Sequence, residues 1–262
     1  MHKNLFKDYY SIYNIGYNVK KFSENEFKYL FSNNKYNYIK INTNKIFYKH
    51  HQLHNSLHHF RESYNNLPSD KYYLDNYPPV RQRRYAKYNI KINKNSFSIF
   101  YDDDCSFIQK VDDSRNQIRN FDPIESKFIY DNDIIRLISY ICSLSLYSIN
   151  YKPKNAIVSM HQVRQIAYPN KLSDNAPEGI HQDGADFIIS ALVLNRYNVI
   201  GGETIIYDTD KKNIIYRTIL ENEEGIFQED IQLWHDVTKI KSADNKNIAI
   251  RDILGFDITF KD

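Results

Sequence analysis

The hydrophobic positions of this chain fall into two textures. From residue 155 onward they come as short runs. Ala156–Tyr168 alternates apolar and polar residues, and Phe187–Leu194 is almost continuously apolar. Thr204–Tyr207, Ile214–Leu220, Gly225–Phe227, Leu233–Ile240 and Ala249–Phe260 continue the series. A period of two marks a strand with one buried face, and a continuous short run marks a strand buried on both. Turn residues interrupt the runs about every 10 positions, the spacing of an all-β sandwich or barrel. Neither a βαβ alternation nor a Gly-rich nucleotide loop is present, which excludes Rossmann and P-loop readings.

The first 150 residues read differently. Residues 1–65 are mixed and mostly helical, with a capping box at Ser23–Glu26 ahead of Phe27, Leu30 and Phe31. A short strand is predicted at Tyr38–Ile41. His50, His54 and His58 lie four apart, so on a helix they share one stripe with Glu62. Eight helical residues span about 12 Å, too far for one ion, and the stripe reads as a solvated or partly packed face. Strands are predicted at Tyr88–Ile92 and Phe97–Tyr101, with a turn at Asp102–Asp104. Ile134, Leu137, Ile138, Ile141 and Leu144 give the helix Asp131–Leu146 an apolar stripe that faces a core. Arg81-Gln82-Arg83-Arg84 has two readings, a phosphate-binding or docking patch and a salt-bridged strand entrance.

Composition narrows the classes. The 262 residues suffice for one large domain, read as a mixed portion (1–150) packing on a β core (151–262). The net charge of +3 lacks the basic excess of a nucleic-acid binder. No apolar run approaches a membrane span, and the N-terminus lacks a signal-peptide core. Two isolated cysteines, Cys105 and Cys142, suggest a reducing, cytoplasmic setting rather than a disulfide framework.

Candidate chemistry concentrates at Pro177–Gly184. On a strand, His181 and Asp183 point to the same face and can grip one ion. His235, within Leu233–Val237, is the only histidine further along. In a jelly roll the intervening strands can bring it to the same mouth. Two histidines and one carboxylate leave metal positions open and suit non-haem Fe(II). Arg251 sits among Ala249, Ile250 and Ile253, where a guanidinium needs a partner. That partner is either a ligand carboxylate or Asp252 or Asp236. Gly184 and Gly201-Gly202 allow close backbone approach or ordinary turns.

The segments Pro177–Phe187, Leu194–Glu203, His235-Asp236-Val237-Thr238 and Arg251-Asp252 resemble the bacterial Fe(II)/2-oxoglutarate dioxygenases that hydroxylate free L-amino acids, the L-isoleucine 4-hydroxylase type. The likeness covers roughly residues 156–260 and is fainter at Arg81–Tyr85 and Arg119–Ile124. It implies a mainly β fold, a double-stranded β-helix (jelly roll, cupin-like) with flanking α-helices in the N-terminal half. It implies His181, Asp183 and His235 as iron ligands and Arg251 as the 2-oxoglutarate anchor. The cofactors implied are Fe(II), 2-oxoglutarate and O₂, with ascorbate as the assay reductant. Asp183 is an acid where related halogenases carry a small residue, which favours hydroxylation. Lys239 stands where the family often has Pro. For the amino-acid substrate, Arg164 is the candidate for the carboxylate and Asp186 for the ammonium. Two alternatives stay open: the same chemistry on a peptidyl or carrier-tethered residue, and a non-enzymatic jelly-roll binding module.

Overall fold

The computed structural model describes residues 17–23, 27, 38–44, 46, 57, 59–73, 78–108 and 118–262. The His50, His54 and His58 row and most of the capping-box segment lie outside these residues.

The alternating and continuous apolar runs pair edge to edge. Eight antiparallel strands form one sheet: β1 (Tyr17–Lys20), β2 (Tyr38–Asn42), β3 (Arg81–Ile92), β4 (Ser96–Asp102), β7 (Asn155–Ala167), β8 (Phe187–Tyr197), β12 (Glu224–Glu229) and β15 (Ala249–Lys261). Their spatial order is β1-β4-β3-β7-β15-β8-β12-β2. Between β3 and β4 in sequence and the helices lie two short strands, β5 (Ser106–Phe107) and β6 (Arg119–Asn120), which pair with each other. β15 is central and pairs along its whole length with β7, from Ala249 opposite Ala167 to Lys261 opposite Asn155.

A second layer covers part of this sheet. β10 (Glu203–Tyr207) lies between β11 (Ile214–Ile219) and β13 (Trp234–Val237), while β9 (Val199–Gly201) pairs with β14 (Ile240–Ser242). Single bridges, Ser173 to Ile240 and His181 to His235, lay the segment before β8 alongside this layer. Val163, Val193 and Ile253 of the large sheet pack against Ile206, Leu220 and Leu233 of the second layer. The result is the double-stranded β-helix expected from the sequence.

The opposite face of the large sheet carries the helix Asn132–Tyr147. Its Asp131 cap accepts hydrogen bonds from the N–H groups of Asp133 and Ile134. Ile134, Leu137, Ile138, Ile141 and Leu144 are fully buried among Tyr88, Val158, Met160 and Phe256. Burying each such side chain contributes about 1.5–3 kcal/mol, so the stripe anchors the helix to the sheet.

β8 and β12 run about three residues beyond the sequence reading, to Tyr197 and over Glu224–Glu229, and two larger differences bear on the site. β3 begins at Arg81 rather than Tyr88, because Arg81–Tyr85 pair with Gln165–His161 of β7. The Leu233–Ile240 run divides at Thr238, whose hydroxyl accepts the Glu203 N–H, so its halves join different partners.

Gly201 marks the tightest turn. Its φ is +88°, and a Cβ there would lie 2.1 Å from the Lys239 carbonyl oxygen. Gly179 has φ +71° but open space. Gly201→Ala should therefore lower unfolding stability by more than about 2 kcal/mol, and Gly179→Ala by about 1 kcal/mol. Chemical denaturation checks this; equal losses would show that the Gly201 contact is not limiting.

Candidate metal centre and its cavity

Strand parity builds the site. Arg251, Ile253, Gly255 and Asp257 are alternate residues of β15, and all line one cavity of about 450 Å³. Neighbouring strands add His161 and Val163 from β7 and Arg81 and Arg83 from β3. The second layer and its connecting loops close the cavity with Glu178, His181, Asp183, Thr204 and His235.

His181, Asp183 and His235 converge there. His181 Nε2 is 3.7 Å from one Asp183 oxygen, and His235 Nε2 is 3.5 Å from the other. One ligand atom from each residue lies within 4.8 Å of the other two. The two imidazoles approach through the His181–His235 bridge, where each backbone N–H donates to the other's carbonyl at 3.0 and 2.9 Å. Asp183 is not on a continuous strand with His181, as the sequence reading supposed. It lies in the turn that follows the bridge. Asp230, fully buried, holds that turn: its Oδ2 accepts the N–H groups of Gly184 at 2.7 Å and Ala185 at 3.2 Å.

Protonation suits a metal. His181 Nδ1 donates to the Gly179 carbonyl at 2.7 Å, leaving the Nε2 lone pair to face the carboxylate. Burial raises the Asp183 carboxyl, but the imidazoles of His235, His181 and His161 and the Arg83 guanidinium outweigh it and hold the group below its ordinary value. Two imidazole nitrogens and one carboxylate form a donor set that fits Fe(II).

Arg251 is 1 % exposed, and its Nε and Nη2 have no acceptor. Burial, then the nearby Arg196, lowers its pKa to about 9, so it remains cationic at neutral pH. The Thr204 and Ser190 hydroxyls, also lining the cavity, are likewise buried without partners. A buried cation with two donors left unsatisfied can seat a carboxylate. Gly202 makes room for it, since a Cβ there would meet Arg251 Cδ at 3.2 Å. The alternative partner Asp252 points to the opposite face of β15.

That opposite face corrects two expectations. Arg164 pairs with Asp252 directly across the β7–β15 ladder, at 2.6 and 2.9 Å, and is absent from the cavity wall. Asp186 caps the end of β15 by accepting the Phe260 N–H at 2.6 Å, also away from the cavity. Neither is placed to hold a substrate. The arginine motif divides by parity too. Arg81 and Arg83 face the cavity, while Arg84 donates to the carbonyls of Pro123 and Asn66. The motif is therefore not the external docking patch considered from sequence. The inward row of Arg81, Arg83, His161 and Asp257 was missed; the signal available was charged residues at alternating positions of predicted strands.

With this geometry in view, comparison with known proteins is informative. Residues 61–257 match the family described as 2OG-Fe dioxygenase, and the chain belongs to that family. It is 23 % identical over 225 residues to an L-isoleucine-4-hydroxylase of Bacillus thuringiensis, spanning 84 % of this chain and 90 % of that protein. The fold is similar to the crystal structure of IDO from Bacillus thuringiensis, with TM-score 0.72, 21 % identity, and 92 % and 96 % of the two chains covered. It is also similar to a bsmA homolog from Methylobium petroleophilum PM1, with TM-score 0.75, 16 % identity, and 91 % and 94 % covered. The protein is thus an iron- and 2-oxoglutarate-dependent oxygenase.

The Arg164–Asp252 pair tests the parity argument. Arg164→Met leaves a buried carboxylate unpaired and should cost about 3 kcal/mol of stability, with the KM values for co-substrate and substrate unchanged. A raised KM at unchanged stability would return Arg164 to the site.

Proposed function

We propose that this enzyme hydroxylates an unactivated C–H bond of a free L-amino acid, with His181, Asp183 and His235 binding Fe(II) and Arg251 anchoring 2-oxoglutarate. The observation that carries this reading is the convergence of the three donors in one cavity with a buried guanidinium that no protein group neutralises. The family supplies the cofactors, and the L-isoleucine-4-hydroxylase relative supports the substrate class. A cavity of about 450 Å³ is the size of small-molecule sites.

When bound, iron supplies dioxygen activation coupled to decarboxylation of 2-oxoglutarate to succinate and CO₂. The chain's own residues do the rest. Arg251 pairs with the distal carboxylate. Gly179 and Asp230 fix the orientation of His181 and of the turn that carries Asp183. Val163, Ala191 and Ile253 line the cavity with apolar surface that keeps water from the reacting centre. Both cysteines are free thiols, consistent with a cytoplasmic setting. No helix among the described residues is long and apolar enough to cross a membrane.

Succinate release tests the activity, using purified protein, Fe(II), ascorbate, 2-oxoglutarate and a panel of free L-amino acids. At least one member should stimulate turnover. Turnover only with peptidyl or carrier-tethered residues would move the substrate to that class. Calorimetric titration with Co(II) tests the ligands. His181→Ala, Asp183→Ala and His235→Ala should each weaken binding beyond the roughly 10–100-fold typical of losing a residue that merely orients a ligand, and Asp230→Asn should stay within that range. Unchanged affinity in any of the three alanine variants removes that residue from the metal centre.

A further inference from the structure

The cavity contains a second, half-buried guanidinium that neither the metal centre nor the Arg251 seat uses. Arg83 projects from β3 into the cavity, with its plane 4.3 Å over the Phe121 ring and 5.8 Å from Phe107. Its Nη2 donates to His161 Nδ1, and His161 Nε2 donates to Asp257 at 2.7 Å. The imidazole in this chain carries one proton, so it positions the guanidinium without neutralising it. Arg83 Nε is buried without an acceptor, and among the described residues no carboxylate forms an ion pair with Arg83. The other two arginines of the motif are engaged. Arg81 binds Asp70 at 2.8 Å and the Asn175 carbonyl at 2.9 Å, and Arg84 binds two backbone carbonyls.

The sheet register separates the two cations. Arg251 lies opposite Gln165, which lies opposite Arg81, so Arg83 is two strands over and two residues along from Arg251. With strands about 4.8 Å apart and residues rising about 3.3 Å, their Cα atoms are about 12 Å apart. Arg83 and the metal triad line the same cavity.

The geometry points to Arg83 as the residue that binds the free carboxylate of the substrate, with His161, held by Asp257, as its positioning residue. This rests on reading the cavity as an amino-acid hydroxylase site and sharpens it. A guanidinium anchor selects a free carboxylate. It rejects the amide of the same amino acid and the thioester of a carrier-tethered one, because each lacks the charge.

The experiment takes the amino acid that wild type turns over best and compares it with its amide. It then compares wild type with Arg83→Met, Arg83→Lys, His161→Gln and His161→Leu. Arg83→Met should raise KM for the amino acid about a hundredfold, with KM for 2-oxoglutarate and Co(II) affinity unchanged. Arg83→Lys should recover part of the loss. His161→Gln, which can still accept from Arg83 and donate to Asp257, should stay close to wild type, whereas His161→Leu should raise KM. The amide should not be turned over by wild type. Wild-type turnover of the amide at the rate of the acid, or an unchanged KM in folded Arg83→Met, overturns the assignment. If Arg83→Met does not fold, the amide comparison in wild type decides alone. If no free amino acid supports turnover, the proposed function fails, and this anchor fails with it.

Discussion

A guanidinium buried without a protein partner is the most costly feature of this barrel, and the site is organised around satisfying it. Arg251 is almost fully enclosed on the central strand, and its Nε and Nη2 find no acceptor. Leaving such a charge dry and unpaired costs several kcal/mol. Only a rigid frame can hold it there. β15 supplies that frame by pairing with β7 on one side and β8 on the other. On the proposed reading an anionic co-substrate completes the charge, so folding stability is given up in exchange for binding specificity.

The same strand keeps competing carboxylates out of reach. Asp252 follows Arg251 directly, and so faces the other way, where Arg164 neutralises it. Asp257 lies on the inner face but is engaged by His161. Inside the cavity, charge is therefore divided. Asp183 sits between two imidazoles, and the guanidiniums of Arg251 and Arg83 rise from different strands of the sheet. On the proposed reading such a cavity takes a divalent cation and two anions, the inventory of an oxygenase that uses an amino acid and a keto diacid.

Much of this was legible in the sequence, for physical reasons. Period-two alternation and apolar runs gave β7, β10 and β15 nearly to their ends, and the centre of β12 and most of β8, because sheet burial imposes those patterns. His181, Asp183 and His235 were legible because few histidines lie in the β-rich half and because the segments around them resemble a known family. Arg251 stood out as a charge amid apolar neighbours. What failed was the choice of face. Arg164 and Asp186 lie near the ligands in sequence, but Arg164 projects to the opposite face of the sheet and Asp186 caps a strand end. The β7–β15 register that pairs Arg164 with Asp252 is a long-range fact that no local window contains. Arg83 was hidden for the same reason. Its motif reads as a surface patch until β3 is extended to Arg81 and alternate residues are turned inward. The His181–Asp183 pair was found for a partly mistaken reason, since a single bridge and a turn, rather than a continuous strand, bring the two side chains together.

The central claim is that Arg251 awaits a carboxylate. Calorimetric titration of 2-oxoglutarate into anaerobic, Fe(II)-loaded protein tests it most directly, comparing wild type with Arg251→Met. Removing a buried charge-assisted pair should weaken 2-oxoglutarate binding by at least about a hundredfold, while the unliganded variant becomes as stable as wild type or more so, because an unpaired buried charge has gone. Equal 2-oxoglutarate affinity in the two proteins would contradict the account.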